Sequence, residues 1–368
     1  MGMRFSTFAV LLAATACGRS DMLRAPGGDR GLPTGGGTGG SAIGIGGALA
    51  VGGNVGGSAT GGRVGSGGVG SGGEVVHTVS EFAIPSIGSQ PRVIIAGPDG
   101  NLWFTEYKVD QIGRITTAGT IAEFPVPTHD SGPFGIAAGL DGNLWFAEVL
   151  AHRVGYVTTR GAVTELPLFG DTSLPKGVAI GADGAPWFTG YLGDYIARVS
   201  TAGITTVLSC GRNAVWLGIT LGPDGCFWLT GNANGNICQL CLDGRANLFA
   251  LSVAGSQPWG ITAGPDGAMW FAEYGGNQIG RITSAGQISE FPIPTPNSYP
   301  VDIVTGPDGN LWFTEDAGNN IGRITPAGDI SEYPIPTPGS GAAGITVGPD
   351  GNLWFTEQVG NNIGRINP

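Results

Sequence analysis

Histidine is close to absent. The chain of 368 residues holds three, His77, His129 and His152, so chemistry that needs an imidazole base or ligand has few places to go. Basic residues are also sparse: 17 Lys and Arg stand against 28 Asp and Glu, for a net charge of -11 and a pI near 4.6. That balance repels phosphate backbones and excludes nucleic acid as a natural partner. No apolar run is long enough to cross a bilayer as a helix, which leaves a lipid anchor as the only expected link to a membrane. Gly-x-Ser-x-Gly elbows, phosphate-binding loops and zinc-type histidine motifs are missing too. Their absence excludes the hydrolase, nucleotide-dependent and zinc chemistries that those motifs carry.

Aromatic residues are missing from one long tract. Between Gly18 and Gly73 glycine dominates, with Ser, Thr, Ala and Val. Such a segment buries too little apolar surface to offset its chain entropy and is expected to be a flexible tether. Ahead of it, residues 1–17 read as an export signal. Arg4 gives a positive start, Phe5 to Ala14 an apolar stretch, and Thr15-Ala16-Cys17 a small-residue cleavage site. The ending resembles a bacterial lipobox, which makes Cys17 the expected lipidated residue; an ordinary signal peptide containing a Cys is the alternative. The expected location is outside the cytoplasm, at the cell envelope through the anchor or secreted. Residues 74–368 remain as the folded part.

What the folded part has is repetition. The phrase Asp-Gly-Asn-Leu-Trp-Phe-Thr-Glu, or a variant of it, occurs seven times. Its tryptophans are Trp103, Trp145, Trp187, Trp228, Trp270, Trp312 and Trp354, spaced 41 or 42 residues apart. A period in the forties with strand-like content predicts a β-propeller with one four-stranded blade per repeat. In the sixth repeat Ile303 to Thr305 reads as the inner strand a, and Gly306-Pro307-Asp308-Gly309 as a tight turn. Asn310 to Glu315 reads as strand b, Asn320 to Ile324 as c, and Ile330 to Ile335 as an outer edge strand d. Strand b is apolar on both faces, so the tryptophans are expected to fill the space between blades. Arg114, Arg198, Arg281, Arg323 and Arg365 fall opposite the same-blade Trp and are expected to stack on it. The seventh repeat stops after strand c at Ile366-Asn367-Pro368, and Thr78 to Pro85 matches the missing strand d. The fold class is therefore all-β: a seven-bladed propeller of four-stranded antiparallel blades, closed by the N-terminal strand pairing with the last blade. A monomer is the default.

Four cysteines, Cys210, Cys226, Cys238 and Cys241, gather around the fourth repeat, and export favours disulfides. If the b–c hairpin turns near Ala233-Asn234, Cys226 lies across from Cys241, which predicts a Cys226–Cys241 bridge. Cys210–Cys238 is a second pairing. Zinc at Cys238 and Cys241 is an alternative, weakened because residues three apart on a strand point to opposite faces.

In this architecture the d–a and b–c connections share the face around the mouth of the central channel. They vary between repeats, whereas the a–b and c–d turns recur almost verbatim, so an individual function is expected on the variable face. Glu106, Glu148, Glu273, Glu315 and Glu357 end strand b in five repeats. They read as an acidic crown for a divalent metal or cationic ligand, or as plain repeat inheritance. Arg92, Lys176, Trp259, Tyr274 and Tyr299, with Asp302 in place of a recurrent Gly, read as an amphipathic cup for a small-molecule or peptide ligand. His129 and His152 near Glu148 form the candidate acid–base cluster, with two solvated loop histidines as the alternative.

The repeat Gly-Ile-Thr-x-Gly-Pro-Asp-Gly-Asn-Leu-Trp-Phe-Thr-Glu…Asn-x-Ile-Gly-Arg-Ile-Thr, as at Gly344 to Glu357 and Asn277 to Thr283, resembles the virginiamycin B lyase (streptogramin lyase) family from about His77 to Pro368. The resemblance implies a seven-bladed propeller with carbon–oxygen lyase activity. Such an enzyme opens a cyclic depsipeptide antibiotic by elimination across a threonine ester. Magnesium polarises the substrate and a histidine takes the α-proton. By repeat position the resemblance implies Glu273, Glu315 and Glu357 as the carboxylates of the metal site. Where the base should lie, near the end of strand b in the later repeats, stand Tyr274, Asp316 and Gln358, and no histidine follows His152. Three functions stay open: a magnesium-dependent lyase of this type, a non-catalytic binding propeller on the cell envelope, and a lactonase-like metal hydrolase.

Overall fold

A computed structural model describes residues 77–167, 174–191, 194–200, 202–211 and 214–368. The expected export signal, Cys17 and the tether at 18–73 lie outside the described residues. The described chain forms seven four-stranded antiparallel sheets. Their inner strands are Pro91–Ala96, Pro133–Ala138, Pro175–Ile180, Trp216–Leu221, Pro258–Ala263, Pro300–Thr305 and Ala342–Val347. Each touches the next, and the ring closes where Ala342–Val347 meets Pro91–Ala96. This is the seven-bladed propeller that the repeats predict.

Closure follows the expected exchange. Val79–Ala83 pairs antiparallel with Asn362–Ile366, with Val79 opposite Ile366 and Phe82 opposite Ile363. It supplies the outer strand that the seventh repeat lacks. The Thr78 N–H donates to the Asn367 side chain at 2.6 Å. The His77 ring lies 2.8 Å from the Asn367 carbonyl oxygen and packs edge-on against Tyr333.

A blade forms because two apolar faces need covering. Strand b is buried along its length, as in Leu311–Glu315. Trp270 of the fifth blade packs against Ile303, Leu311 and Phe313 of the sixth, so the tryptophans do fill the space between sheets. In six blades the indole N–H is held by the Asp of the preceding turn, as Trp312 donates to Asp308 at 3.1 Å. Trp103, Trp145, Trp228, Trp270 and Trp354 do the same. The glycine of the Ile-Gly-Arg strand makes room for the Phe beside that Trp: a Cβ on Gly322 would lie 2.1 Å from the Phe313 ring.

Arg114, Arg281, Arg323 and Arg365 lie 5.3 to 5.9 Å over the same-blade indole. Arg198 departs from this: besides the bond to its turn aspartate that Arg281 also makes, its guanidinium donates to Thr205 at 2.9 Å. In the sixth blade the inner strand begins at Pro300 rather than Ile303. Pro300 pairs with Glu315 before a bulge, and the ladder resumes with Ile303 opposite Phe313. In the fourth blade Cys226 is bonded to Cys241 across the b–c hairpin, and Cys210 to Cys238. Cys210 follows the outer strand Gly203–Ser209 of the third blade, so the second bridge clips two neighbouring blades together.

Candidate functional site

The bulge recurs in every blade and shapes the channel. In the first blade Pro91 pairs with Glu106 and Ile94 with Phe104, leaving Arg92 and Val93 opposite Thr105 alone. The Thr105 hydroxyl accepts the Val93 N–H at 3.2 Å and donates to the Phe134 carbonyl of the next blade at 2.7 Å. Thr230, Thr314 and Thr356 make the same inter-blade bond. The third residue of the inner strand is therefore tightly confined. A Cβ on Gly135 would lie 2.2 Å from the Lys176 carbonyl, and one on Gly218 would lie 2.3 Å from that of Trp259.

The second and third residues of all seven inner strands line one cavity of about 140 Å³, open at its mouth. Asp302 takes a third position. Its carboxylate accepts the Ile303 N–H at 2.9 Å and, from the neighbouring blade, the Ile345 N–H at 3.1 Å. Burial lifts its pKa to about 6 despite those two bonds, which lower it.

The second positions carry Arg92, Phe134, Lys176, Leu217, Trp259, Val301 and Ala343. The Lys176 ammonium lies 4.7 Å from the centres of both the Phe134 and Tyr191 rings and 5.3 Å from that of Trp259. Burial first, and the Arg92 charge second, bring its pKa down to about 7. The three rings favour the charged form and work against that fall. The Arg92 guanidinium lies 5.0 Å from Tyr107 and 5.8 Å from Phe134. It donates to Gln358 and, at 3.3 Å, to Gln90, while its Nε has no partner among the described residues. From Trp259 a run of rings continues outward: Tyr274 at 5.4 Å, then Tyr299 stacked on Tyr274 at 4.9 Å. Burial, with Asp316 and Tyr299 nearby, lifts Tyr274 to about 12, so it stays a phenol. Burial also raises Asp316, against the pull of Gln358 and Arg92.

Arg92, Lys176, Trp259 and Asp302 thus line the cavity, and Tyr274 and Tyr299 extend it. Sequence reasoning missed Tyr107 and Tyr191. Both directly follow strand b, the position that Tyr274 holds in its own blade, and that alignment was the available signal.

The other predicted groups sit elsewhere. Glu106, Glu148, Glu273, Glu315 and Glu357 are fully buried, so no acidic crown stands on the rim. The d–a connection bonds across the b–c turn, as the Lys108 N–H does to the Ser89 carbonyl at 3.0 Å, and roofs the end of strand b. Burial first, and then the charge of a d-strand glutamate (Glu123, Glu165, Glu290, Glu332 or Glu81), raises each of the five to about 8. Glu273, Glu315 and Glu357 remain in three separate blades. Among the described residues no three His, Cys, Asp or Glu side chains gather as a metal site. The mouth carboxylates Asp302 and Asp316 are engaged by backbone N–H groups and by Gln358, and two cations share the mouth. This donor set does not fit a magnesium ion.

His129 is exposed in a d–a connection. His152 sits in the left-handed region at φ 57°, where its Nδ1 accepts the Leu174 N–H at 3.4 Å. Asn361 holds the equivalent position, and its side-chain oxygen accepts the Ser89 N–H at 2.8 Å. His152 therefore does the loop-holding work of its counterparts. No hydrogen bond joins His129, His152 and Glu148 among the described residues.

The model of the virginiamycin B lyase family matches residues 62–245 and 212–368. The chain belongs to the virginiamycin B lyase family. A solved streptogramin B lyase is 38% identical over 79% of this chain and 97% of its own, with a TM-score of 0.75. A virginiamycin B lyase from Staphylococcus aureus is 35% identical over 80% of this chain and 100% of its own, also at 0.75. A catalytically inactive histidine-to-alanine variant of the S. aureus virginiamycin B lyase, solved with quinupristin, is 34% identical over the same shares, at 0.76. No curated protein matches. What needs explaining is a virginiamycin B lyase family propeller whose mouth holds arginine, lysine and aromatic rings and no histidine among the described residues.

Proposed function

We propose that this protein binds an amphipathic, peptide-sized molecule at the channel mouth and does not carry out a histidine-dependent elimination. One observation carries the reading: Arg92, Lys176 and Trp259 converge on the cavity, while all three histidines lie away from it. Replacing one histidine by alanine is enough to inactivate the S. aureus relative. Here His77 lies at the closure seam, His129 in an exposed loop and His152 against Leu174. Ile87, Leu150 and Val359 are exposed on connections of the same face and add an apolar rim for the body of such a ligand. The proposed setting is the cell envelope, reached through the export signal and held there by Cys17, with the propeller working as a monomer.

A carbon–oxygen lyase is the second reading, favoured by 38% identity that spans the whole propeller of a streptogramin B lyase. Lys176, brought down to about 7, is then the basic group at the mouth able to accept an α-proton near neutral pH. One assay decides. The full chain is incubated with a type B streptogramin, with and without magnesium. Ring opening is followed by chromatography with tandem mass spectrometry, because elimination leaves the mass unchanged. Tryptophan fluorescence reports binding. Quenching without a linear product is expected. A linear product that disappears in Lys176→Met establishes the lyase instead, and absence of both binding and product sinks both readings.

A further inference from the structure

We infer that the mouth contains a carboxylate-recognition site, built from Arg92 and Lys176, for a ligand whose anionic group is carried on a flat apolar body. This deepens the binding reading and rests on it. The protein carries a net charge of -11, and five half-buried arginines show how most of its cations are held. Arg114, Arg198, Arg281, Arg323 and Arg365 each lie within 4.0 Å of an aspartate. Arg92 and Lys176 have no such ion pair among the described residues. They flank one ring, Phe134, at 5.8 and 4.7 Å, and each raises the cost of charging the other. Two like charges held together beside a cavity form an arrangement that an incoming anion relieves.

The unused donors have a direction as well as a charge. Lys176 meets only ring faces, so its three N–H donors lack an acceptor among the described residues. Arg92 gives one Nη N–H to Gln358 and one to Gln90, so three of its five N–H donors, the Nε one among them, have no partner among the described residues. A single carboxylate bridging the Arg92 guanidinium and Nζ of Lys176, both of which line the cavity, suits what remains. Asp316 acts on Arg92 through space but forms no ion pair with it, its side-chain contact being to Gln358 at 3.4 Å, and it does not act on Lys176. Phe134, Tyr191 and Trp259 supply the flat walls on either side.

The test uses the full chain and three probes: indole-3-acetate, its neutral isostere indole-3-acetamide, and inorganic phosphate, each titrated by calorimetry. The carboxylate is expected to bind at least about tenfold more tightly than the amide, and phosphate not to bind. The preference should vanish in Lys176→Met and in Arg92→Gln, with thermal melts showing that both variants are folded. Should Lys176→Met fail to fold, Arg92→Gln and the acid–amide comparison on the parent chain carry the test. Equal binding of acid and amide overturns the anion site and leaves the binding reading standing. Phosphate binding as tightly as indole-3-acetate overturns the flat-body specificity. Failure of both indoles overturns the inference, and the streptogramin binding assay then shows independently whether the broader reading survives.

Discussion

The a–b turns and the channel mouth occupy opposite ends of the same strands, yet they follow different rules. At the turns, Asp99, Asp141, Asp224, Asp266, Asp308 and Asp350 each accept an indole N–H. At the mouth, seven equivalent positions carry Arg92, Phe134, Lys176, Leu217, Trp259, Val301 and Ala343. The backbone is the same in all seven, so the fold does not dictate the mouth residues. One residue further on the blades are more constrained: five carry glycine, as where the carbonyl of the next blade lies 2.2 Å from a Cβ on Gly135, and only Val93 and Asp302 place a side chain there. Chemical freedom and steric constraint alternate along a single bulge.

The comparison breaks most severely at the constrained position. Gly135→Val places a side chain where even a Cβ lies 2.2 Å from a backbone carbonyl. A loss of about 3 kcal/mol or more is expected, seen in thermal melts or in failure to accumulate as soluble protein. Gly100 in the a–b turn has open space around it at φ +75°, and Gly100→Ala should cost only about 1 kcal/mol.

Next comes pH, acting on the layer between the two ends. The five buried glutamates titrate near 8 in the fold and near 4.3 when unfolded. Between those values the folded state holds more protons, so its stability is fully present below about pH 4 and is lost as pH rises through about 8. The melting temperature should fall by several degrees between about pH 5 and pH 8.5. Glu357→Gln, which mimics the protonated side chain, should flatten that slope.

Smaller again is Asp308→Ala. It removes the acceptor for Trp312 and Asn310 and should cost about 1–2 kcal/mol, without changing ligand affinity at the mouth. Trp259→Ala sharpens the contrast from the other side. Its effect on the melt should be smaller still, but it should weaken indole-3-acetate binding about tenfold.

The architecture was legible because it is written seven times. The period set the blade count, and Thr78 to Pro85 announced the closure by matching the outer strand that the seventh repeat lacks. The mouth was legible where a residue broke the repeat, as Asp302 does. The glutamates left two readings open for the opposite reason. They recur at the end of strand b, and nothing in a linear pattern shows that the d–a connection roofs them over. His152 shows the same limit. Its role belongs to a turn position that holds Asn in other repeats, and only the left-handed backbone and the Leu174 bond reveal it.

The outer strand of the last blade is the first piece of the fold to be translated. Val79–Ala83 must therefore wait, unpaired, until Asn362–Ile366 has been synthesised. A message truncated before that point yields a protein open at its seam, with Phe82 and Ile84 stripped of their neighbours. The ring thus doubles as a check on completeness, since the intact circle exists only when both extremities of the domain have been made.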